Sequence, residues 1–284
     1  MRDLRGRYIV ETEWLAERLD APDLVVVDGS LHLPTQNRDA KAEFAAEHIP
    51  GAQFFDINAI ADTDNPLPHM MPSTHVFASK MKKMGIGDGT HVVAYDSVGI
   101  YSAARVWWML RTMGHEDVAV LNGGLPKWKA DGFAVTDEPP RNKTERHFTP
   151  RFNAALIRDI DDIKSNVKTG AEQIIDARAA GRFNGEAPEP RKGLRSGHMP
   201  GAKNVPFTTL LTDNGTLKAT SDMRAVFETA GVDVTKPSVT SCGSGVTAGV
   251  LSLALALLGN TDVAVYDGSW SEWGDEGSGG DVVK

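Results

Sequence analysis

The sequence predicts an α/β fold with two tandem domains, each built on a mostly parallel sheet flanked by helices. Short apolar runs alternate with helical patterns along the chain, which is typical of strands buried on both faces of a parallel sheet. A second observation is an internal repeat of domain length. The third is the chain length of 284 residues, which is sufficient for two domains of ordinary size.

The repeat consists of three segments that recur in the same order. Residues 47–52 (EHIPGA) recur at 197–202 (GHMPGA), residues 25–28 (VVVD) at 174–176 (IID), and residues 122–128 (NGGLPKW) at 267–273 (DGSWSEW). A polar, proline-containing stretch separates the two copies, as expected of a linker. We therefore predict an N-terminal domain over residues 1–140, a linker over residues 141–155 and a C-terminal domain over residues 156–284.

The strands and helices follow from the apolar patterns of each half. Strands are predicted at Leu24–Asp28, His91–Tyr95, Val118–Leu121, Gln173–Asp176, Pro237–Ser241 and Asp262–Tyr266. Helices are predicted at Glu11–Leu19, Thr74–Met84, Ser102–Met113, Ser221–Ala230 and Val246–Leu258. Thr74 and Ser221 are candidate N-cap residues, and Gly85 and Gly231 are candidate helix stops.

Composition excludes several classes of protein. The formal net charge of -8 argues against a general binder of nucleic acids or anionic membranes. No apolar stretch is long enough to predict a transmembrane helix, and the charged N-terminus lacks the apolar segment of a secretory signal. From charge and hydropathy we expect neither nucleic-acid nor membrane partners. A single cysteine forms no internal disulfide, so we expect a cytoplasmic protein.

The single cysteine, Cys242, follows a predicted strand and begins a glycine-rich turn that leads into an apolar helix. Free backbone N–H groups and the positive end of the helix dipole would favour its thiolate form. A lone cysteine is more often a small buried apolar residue. However, Gly243 and Gly245 suit a loop that curls around a reactive sulfur better than the interior of a strand or helix.

Several of these segments resemble the tandem-domain rhodanese family of sulfurtransferases over residues 14–273. The resemblance is carried by CGSGVT at 242–247, YDGSWSEW at 266–273, FFD at 54–56, YSAARVWWMLR at 101–111 and GRF at 181–183. It implies two rhodanese-like domains with catalysis confined to the second. It further implies that sulfur passes from 3-mercaptopyruvate, through a cysteine persulfide, to thioredoxin, a small thiol or cyanide, with no cofactor.

Single positions predict which sulfur donor the protein uses and which half is inactive. Thiosulfate-using members of the family typically have arginine and lysine after the cysteine, whereas this chain has Gly243 and Ser244. The loss of both cations favours the singly charged mercaptopyruvate carboxylate over dianionic thiosulfate. When the halves are aligned strand to strand, Asp96 stands in the place of Cys242. Because a carboxylate cannot carry a transferable sulfur, we expect the N-terminal domain to be non-catalytic.

The resemblance assigns roles to individual residues. Cys242 is the expected nucleophile, and Ser244 would hydrogen-bond the substrate or relay a proton. Arg182 and Arg191 match the family's mercaptopyruvate-binding pair, and Arg195 is a weaker candidate from the same loop. The predicted anion site around the persulfide comprises the backbone N–H groups of Gly243, Ser244, Gly245, Val246 and Thr247.

His69 falls where the family has a histidine near the active serine, and we expect it to assist proton transfer. The family's acidic partner is replaced by Asn58, so a serine–histidine–acid relay would need Asp56 or Asp62 as a substitute. His48 and His198 occur in equivalent turns of both halves, which indicates a structural role. The sequence contains no paired-cysteine metal motif, and we predict no metal site.

Three alternatives remain open at this stage. The main reaction could use thiosulfate, which rates with the two donors would decide. A cysteine phosphatase would need an arginine that closes its catalytic loop, and the corresponding residue here is Ala248. A non-enzymatic sulfur carrier would form the persulfide without turning over a small donor.

Overall fold

The computed structural model describes residues 4–140 and 144–284. It contains two five-stranded sheets in which every pair of neighbouring strands is parallel. The first sheet has the order β1-β5-β4-β2-β3, and the second has the equivalent order β6-β10-β9-β7-β8. The strands are β1 Ile9–Val10, β2 Leu24–Asp28, β3 Gln53–Phe54, β4 His91–Tyr95, β5 Val118–Leu121, β6 Ile157–Arg158, β7 Gln173–Asp176, β8 Lys203–Asn204, β9 Ser238–Ser241 and β10 Ala264–Tyr266.

Helices cover both faces of each sheet. They are α1 Arg5–Tyr8, α2 Thr12–Ala16, α3 Ala40–Ala46, α4 Ile57–Ile60, α5 Thr74–Lys83, α6 Ala103–Thr112, α7 Gly124–Ala130, α8 Ile160–Thr169, α9 Ala180–Phe183, α10 Thr220–Thr229, α11 Ala248–Leu257 and α12 Ser269–Trp273. Short 3-10 turns lie at Pro34–Gln36, Ala154–Leu156, Phe207–Leu210 and Glu276–Ser278. None of the helices in the described parts of the chain has the length and apolar character needed to span a bilayer.

The predicted central strands are confirmed, and four have the predicted bounds. The strand predicted from Pro237 begins at Ser238, and the strand predicted from Asp262 begins at Ala264. The five predicted helices all form, and four of them are shorter than predicted at one or both ends. The fifth, α10, has the predicted length but begins and ends one residue early. The two-residue strands at the sheet edges are new, because two residues are too few to show a periodic pattern.

The predicted helix caps are corrected at both starts. Ser73, rather than Thr74, caps α5, because its hydroxyl accepts the N–H of Val76. Ser221 lies inside α10, which begins after Ala219 without a side-chain cap. The predicted stops are confirmed, since Gly85 and Gly231 follow their helices with φ of 67° and 74°.

The two halves share one apolar core. Helix α6 of the first half and helix α11 of the second are buried along their whole lengths. They cross so closely that a Cβ atom at Gly249 would lie 2.9 Å from the backbone of Ala104. Trp107 and Leu251 belong to the same apolar cluster. The loops that precede α6 and α11 both lead into this crossing. The candidate site therefore lies beside the interface between the two halves.

The described part of the predicted linker packs against the first half. Phe148 is 5% exposed and contacts the ring of Phe77, and the N–H of Arg151 donates to the carbonyl of Met113. Residues 141–143, the start of the predicted linker, lie outside the described residues. The described part of the segment, residues 144–155, therefore lies along the surface of the first half.

The paired histidines have equivalent structural contacts. His48 stacks on Phe44, and its Nδ1 lies 2.7 Å from the carbonyl oxygen of Phe44. His198 stacks on Phe183, and its Nδ1 lies 2.9 Å from the carbonyl oxygen of Phe183. Each histidine fixes its turn to a neighbouring helix, which supports the structural role predicted for both.

Candidate active site

Cys242 directly follows β9, a central strand of the second sheet, at the carboxyl edge where ligands of open α/β sheets bind. Its side chain is 2% exposed. Its N–H donates to Ser269 Oγ at 3.2 Å, and its carbonyl accepts the N–H of Trp270 at 3.0 Å. The next carbonyl, of Gly243, accepts both the N–H and the hydroxyl of Ser271. Helix α12 therefore holds the carbonyl side of the turn that carries the thiol.

The opposite, N–H side of this turn is open. Among the described residues, the backbone N–H groups of residues 243–247 have no hydrogen-bond partner. Ser244 and Val246 are 5% and 4% exposed, and Thr247 immediately precedes α11 without capping it through its side chain. Unpaired N–H groups that converge at the start of a buried ten-residue helix form a ready site for an anion.

Both glycines of the turn have close neighbours. Gly245 has φ of 74°, and a Cβ atom there would lie 2.7 Å from the carbonyl oxygen of Asp267 and 2.8 Å from Arg105 Nη1. A Cβ atom at Gly243 would lie 2.9 Å from Arg182 Nη2. Gly245 thus permits the backbone to turn, and Gly243 permits a guanidinium to lie directly on the loop.

Arg182, on α9, is held over the loop by a buried carboxylate. Its Nη2 lies 2.5 Å from Glu189 Oε2, and its Nε donates to Glu189 Oε1 at 3.2 Å. Glu189 also accepts from Arg178 Nη1 at 2.9 Å, and Arg178 in turn pairs with Asp176 at the end of β7. The side chain of Arg182 is 20% exposed, and its Nη1 has no hydrogen-bond partner among the described residues.

Arg191 is half-buried and carries its charge without a neutralising partner. Within the described part of the chain, no carboxylate lies within 4.0 Å of its guanidinium. Its Nη2 lies 3.5 Å from His69 Nε2. Burial lowers the pKa of Arg191, and the charges of Cys242 and Tyr101 oppose that effect. An unpaired guanidinium close to the thiol is suited to bind a carboxylate.

His69 reaches the site from the first half, with a left-handed backbone at φ of 65°. Burial lowers the pKa of His69 to about 3, and the charges of Arg105 and Arg191 act in the same direction. The imidazole is therefore neutral at physiological pH. Its Nδ1 is buried and has no hydrogen-bond partner among the described residues.

The structure does not assemble a serine–histidine–acid relay within the residues it describes. Asn58 is exposed, and its N–H donates to Asp56, whose carboxylate caps α4. Asp62 accepts the N–H of Asp64 at 3.2 Å. Since the Nδ1 of His69 has no partner there, neither aspartate substitutes for the missing acid.

Comparisons with known proteins show the family to which the whole chain is related. The rhodanese-like domain family matches residues 11–131 and again residues 159–276. The chain belongs to the rhodanese family. It is 45% identical over 268 residues to the 3-mercaptopyruvate sulfurtransferase of Escherichia coli K12, covering 94% of this chain and 95% of that protein. It is also 43% identical to the thiosulfate sulfurtransferase of Rattus norvegicus, covering 94% and 92%.

The fold of this rhodanese is also found in a solved structure. The crystal structure of the 3-mercaptopyruvate sulfotransferase SseA from Escherichia coli matches with a TM-score of 0.84 and 43% identity. The match covers 93% of this chain and 99% of that one. The prediction of two rhodanese-like domains with parallel sheets is confirmed.

Tyr101 is a site residue of this rhodanese that the sequence did not single out. Burial raises the pKa of Tyr101 to about 12, and the charges of Cys242 and Asp96 add to the effect. Its ring packs against Phe207 with the centroids 5.6 Å apart. The contact of Tyr101 with Phe207 of the other half depends on the docking of the two rhodanese domains, for which the local sequence carries no signal.

Arg195, the weaker candidate, has a structural role in this rhodanese. Its nitrogens donate to the carbonyls of Trp273, Gly274, Asp275 and Gly280 and to the hydroxyl of Ser278. These contacts fix the C-terminal segment and use the donors that a substrate would need. The contacts of Arg195 therefore favour a structural role over the weaker substrate-binding role that the sequence suggested.

Proposed function

We propose that the protein is a 3-mercaptopyruvate sulfurtransferase that carries sulfur on Cys242. The observation that supports this most directly is the arrangement of Cys242, the open N–H groups of residues 243–247 and the unpaired guanidinium of Arg191. The thiol supplies the nucleophile, the amides stabilise a bound anion, and the guanidinium takes a carboxylate. Relatives that are named for this reaction cover nearly the whole chain.

In the proposed sulfur transfer, atoms and electrons balance without a cofactor. The Cys242 thiolate attacks the sulfur of 3-mercaptopyruvate, and an S–S bond forms while the carbon–sulfur bond breaks. The electron pair stays on the substrate carbon as the pyruvate enolate. The proton of the transferred sulfur then passes to this enolate, directly or through Ser244, which leaves the Cys242 persulfide anion and pyruvate. An external thiol acceptor removes the outer sulfur and restores the thiolate.

The first half supports the proposal for a persulfide site. Asp28 pairs with Tyr95 as Asp176 pairs with Ser241, so Asp96 and Cys242 occupy equivalent positions after their strands. The Asp96 carboxylate accepts four backbone N–H groups at 2.8–3.0 Å, those of residues 98, 99, 101 and 103. An aspartate oxygen and the outer sulfur of a cysteine persulfide stand the same number of bonds from Cα. The loop of the first half thus contains a built-in anion where the second half would bind the persulfide.

The substrate contacts follow from the charges. Arg191 binds the carboxylate of 3-mercaptopyruvate, and Arg182, held over Gly243, donates to the keto oxygen. The peptide N–H groups of Gly245, Val246 and Thr247 complete the persulfide site. His69, being neutral, takes part as a hydrogen-bonding partner of Arg191 and of the substrate, and it can carry a proton only transiently.

We also propose roles for the two domains, a class of sulfur acceptor and a compartment. Residues 1–140 form the non-catalytic domain, residues 141–155 the linker and residues 156–284 the catalytic domain. The acceptor is thioredoxin, a small thiol or cyanide, because the chain has no second cysteine to resolve the persulfide. A reducing cytoplasm would keep the acceptor available.

Thiosulfate is the second candidate donor, because one similar relative is named a thiosulfate sulfurtransferase. A dianion would need more positive charge on the loop, and positions 243 and 244 supply none. We therefore expect kcat/KM for 3-mercaptopyruvate to exceed kcat/KM for thiosulfate. The reverse order would favour the second candidate.

The deciding experiment is the intact mass of the protein after incubation with 3-mercaptopyruvate. We expect a gain of about one sulfur atom, localised to Cys242, together with one pyruvate per protein. Cys242→Ser should gain no sulfur and show no turnover while it keeps the wild-type circular dichroism spectrum. Turnover by this folded variant would refute the proposal.

A further inference from the structure

A buried arginine of the first half reaches into the active-site turn of the second. Arg105, on α6, is 0% exposed, and its guanidinium stacks over Trp108 at 4.3 Å. Its Nη1 donates to the carbonyl of Gly245 at 3.2 Å, and its Nη2 donates to the carbonyl of His69. Nη2 also lies 2.7 Å from Asp267 Oδ1, as an ion contact. One guanidinium thus joins the two loops that form the site.

Asp267 completes the connection from the other side. It follows β10, is 3% exposed, and its Oδ2 accepts the N–H of Met71 at 2.6 Å. Met71 lies two residues after His69. Arg105 Nε and Asp267 Oδ1 have no hydrogen-bond partner among the described residues, so the contacts to Gly245, His69 and Met71 supply the hydrogen bonds that support the buried pair.

The charged pair is a departure from the pseudo-symmetry of the two halves. The residue equivalent to Asp267 in the first half is Asn122, whose Oδ1 accepts the N–H of Leu217 at 3.0 Å, mirroring the contact to Met71. The position equivalent to Arg105 on α11 is Leu251, which is buried in the apolar core. A backbone N–H of one half therefore donates to a side-chain oxygen of the other at both places, and the ion pair is added at the place next to Cys242.

We propose that Arg105 and Asp267 are positioning residues that fix the Cys242 turn relative to the His69 loop across the domain interface. The inference rests on the proposed function. It explains what sets the spacing between the nucleophile and the substrate-binding groups. Neither side chain is exposed to substrate, so both act through the backbone of Gly245 and of the loop at His69 and Met71. Errors of about 1 Å in such spacing reduce rates by about 100-fold.

The test uses Arg105→Lys, which keeps the charge but lacks the fork of donors, and Asp267→Asn, which keeps an acceptor for Met71. The matched control is Arg111→Lys. Arg111 is also a buried arginine of α6 that crosses the interface, but it donates to the carbonyl of Thr261, away from the active-site turn.

We expect both test variants to lower kcat by about tenfold or more, with the KM for 3-mercaptopyruvate within about twofold of wild type. The double variant should be no slower than the slower single variant, because both substitutions break one unit. The control should keep the wild-type kcat. An equal loss of kcat in Arg111→Lys, or a wild-type kcat in folded Arg105→Lys, would overturn the proposal.

A second measurement is independent of sulfur transfer. The alkylation rate of Cys242 by iodoacetamide reports how tightly the turn covers the thiol, which is 2% exposed in the intact protein. We expect Arg105→Lys and Asp267→Asn to increase this rate about fivefold or more, and Arg111→Lys to leave it unchanged. Equal alkylation rates in all variants would overturn the positioning role, whereas absence of persulfide in the wild-type protein would overturn only the proposed function.

Discussion

Gly243 lies so close to Arg182 that a Cβ atom on the glycine would stand 2.9 Å from Nη2 of the guanidinium. The guanidinium cannot easily move away, because Glu189, whose side chain is 2% exposed, holds it at 2.5 Å. Gly243 itself has no left-handed backbone, so alanine would be strained only by this contact. The relationship means that the residue after Cys242 sets the position of Arg182, which we propose binds substrate.

Gly243→Ala should therefore displace Arg182 and lower kcat/KM for 3-mercaptopyruvate by about tenfold, mainly through KM. Steady-state kinetics would measure the change. The control is the same substitution in an Arg182→Ala background, where it should have little further effect because the displaced group is absent. Full additivity of the two substitutions would contradict the assignment.

Arg191→Ala should raise the KM for 3-mercaptopyruvate and lower kcat/KM by about 10- to 100-fold, the size of a lost charged hydrogen bond. Arg182→Ala should act in the same direction. Lys192→Ala is the matched control, because it removes an exposed neighbouring charge without touching the site. If Lys192→Ala weakened the substrate as much as Arg191→Ala, a general electrostatic effect would replace the specific contact.

The parts of the molecule that the sequence predicts well are those whose signal is local. The run Val25–Val27 is apolar on both faces, which identifies a central parallel strand with correct bounds. Cys242 was found because glycines and a following apolar helix surround it. In contrast, Ile9–Val10 and Gln53–Phe54 pair at sheet edges with too few residues for any periodicity.

The parts that the sequence misses depend on how the two halves dock. Arg105 belongs to an apolar helix, and nothing near it along the chain indicates that its guanidinium meets Asp267 of the other half. The environment of His69 has the same origin: its neutral state results from burial and from two arginines that are distant in sequence. The family resemblance predicted that His69 lies near the site, whereas its neutral state follows only from the assembled interface.

The lowered pKa of His69 predicts how stability depends on pH. An unfolded histidine has a pKa of about 6.5, whereas His69 in the folded protein has a pKa of about 3. Between these values the unfolded chain binds the extra proton, so this contribution to stability is present above pH 6.5 and is lost as the pH falls. His69→Asn removes the titration and keeps a residue that tolerates the left-handed backbone.

We expect the wild-type free energy of unfolding to fall by about 1–2 kcal/mol more than that of His69→Asn between pH 7.5 and pH 5. Urea unfolding of both proteins at the two pH values would measure this difference. Equal losses in the two proteins would show that His69 is not held neutral by its surroundings.

In the first half, we expect the largest loss of stability from a substitution at Asp96. Its carboxylate is 0% exposed and accepts four backbone N–H groups, so Asp96→Ala would leave these donors, of which those of Gly99 and Ala103 are buried, without a partner. We expect a loss of about 3–5 kcal/mol in the free energy of unfolding, measured by urea denaturation. Asp161→Asn, at an exposed position of α8, is the control and should change stability little. Small anions such as sulfate should restore part of the stability of Asp96→Ala, because the vacated loop would bind them as we propose that the loop of Cys242 binds the persulfide. Wild-type stability of Asp96→Ala without added anions would show that the N–H groups do not need an anion, and the comparison of the two loops would then fail.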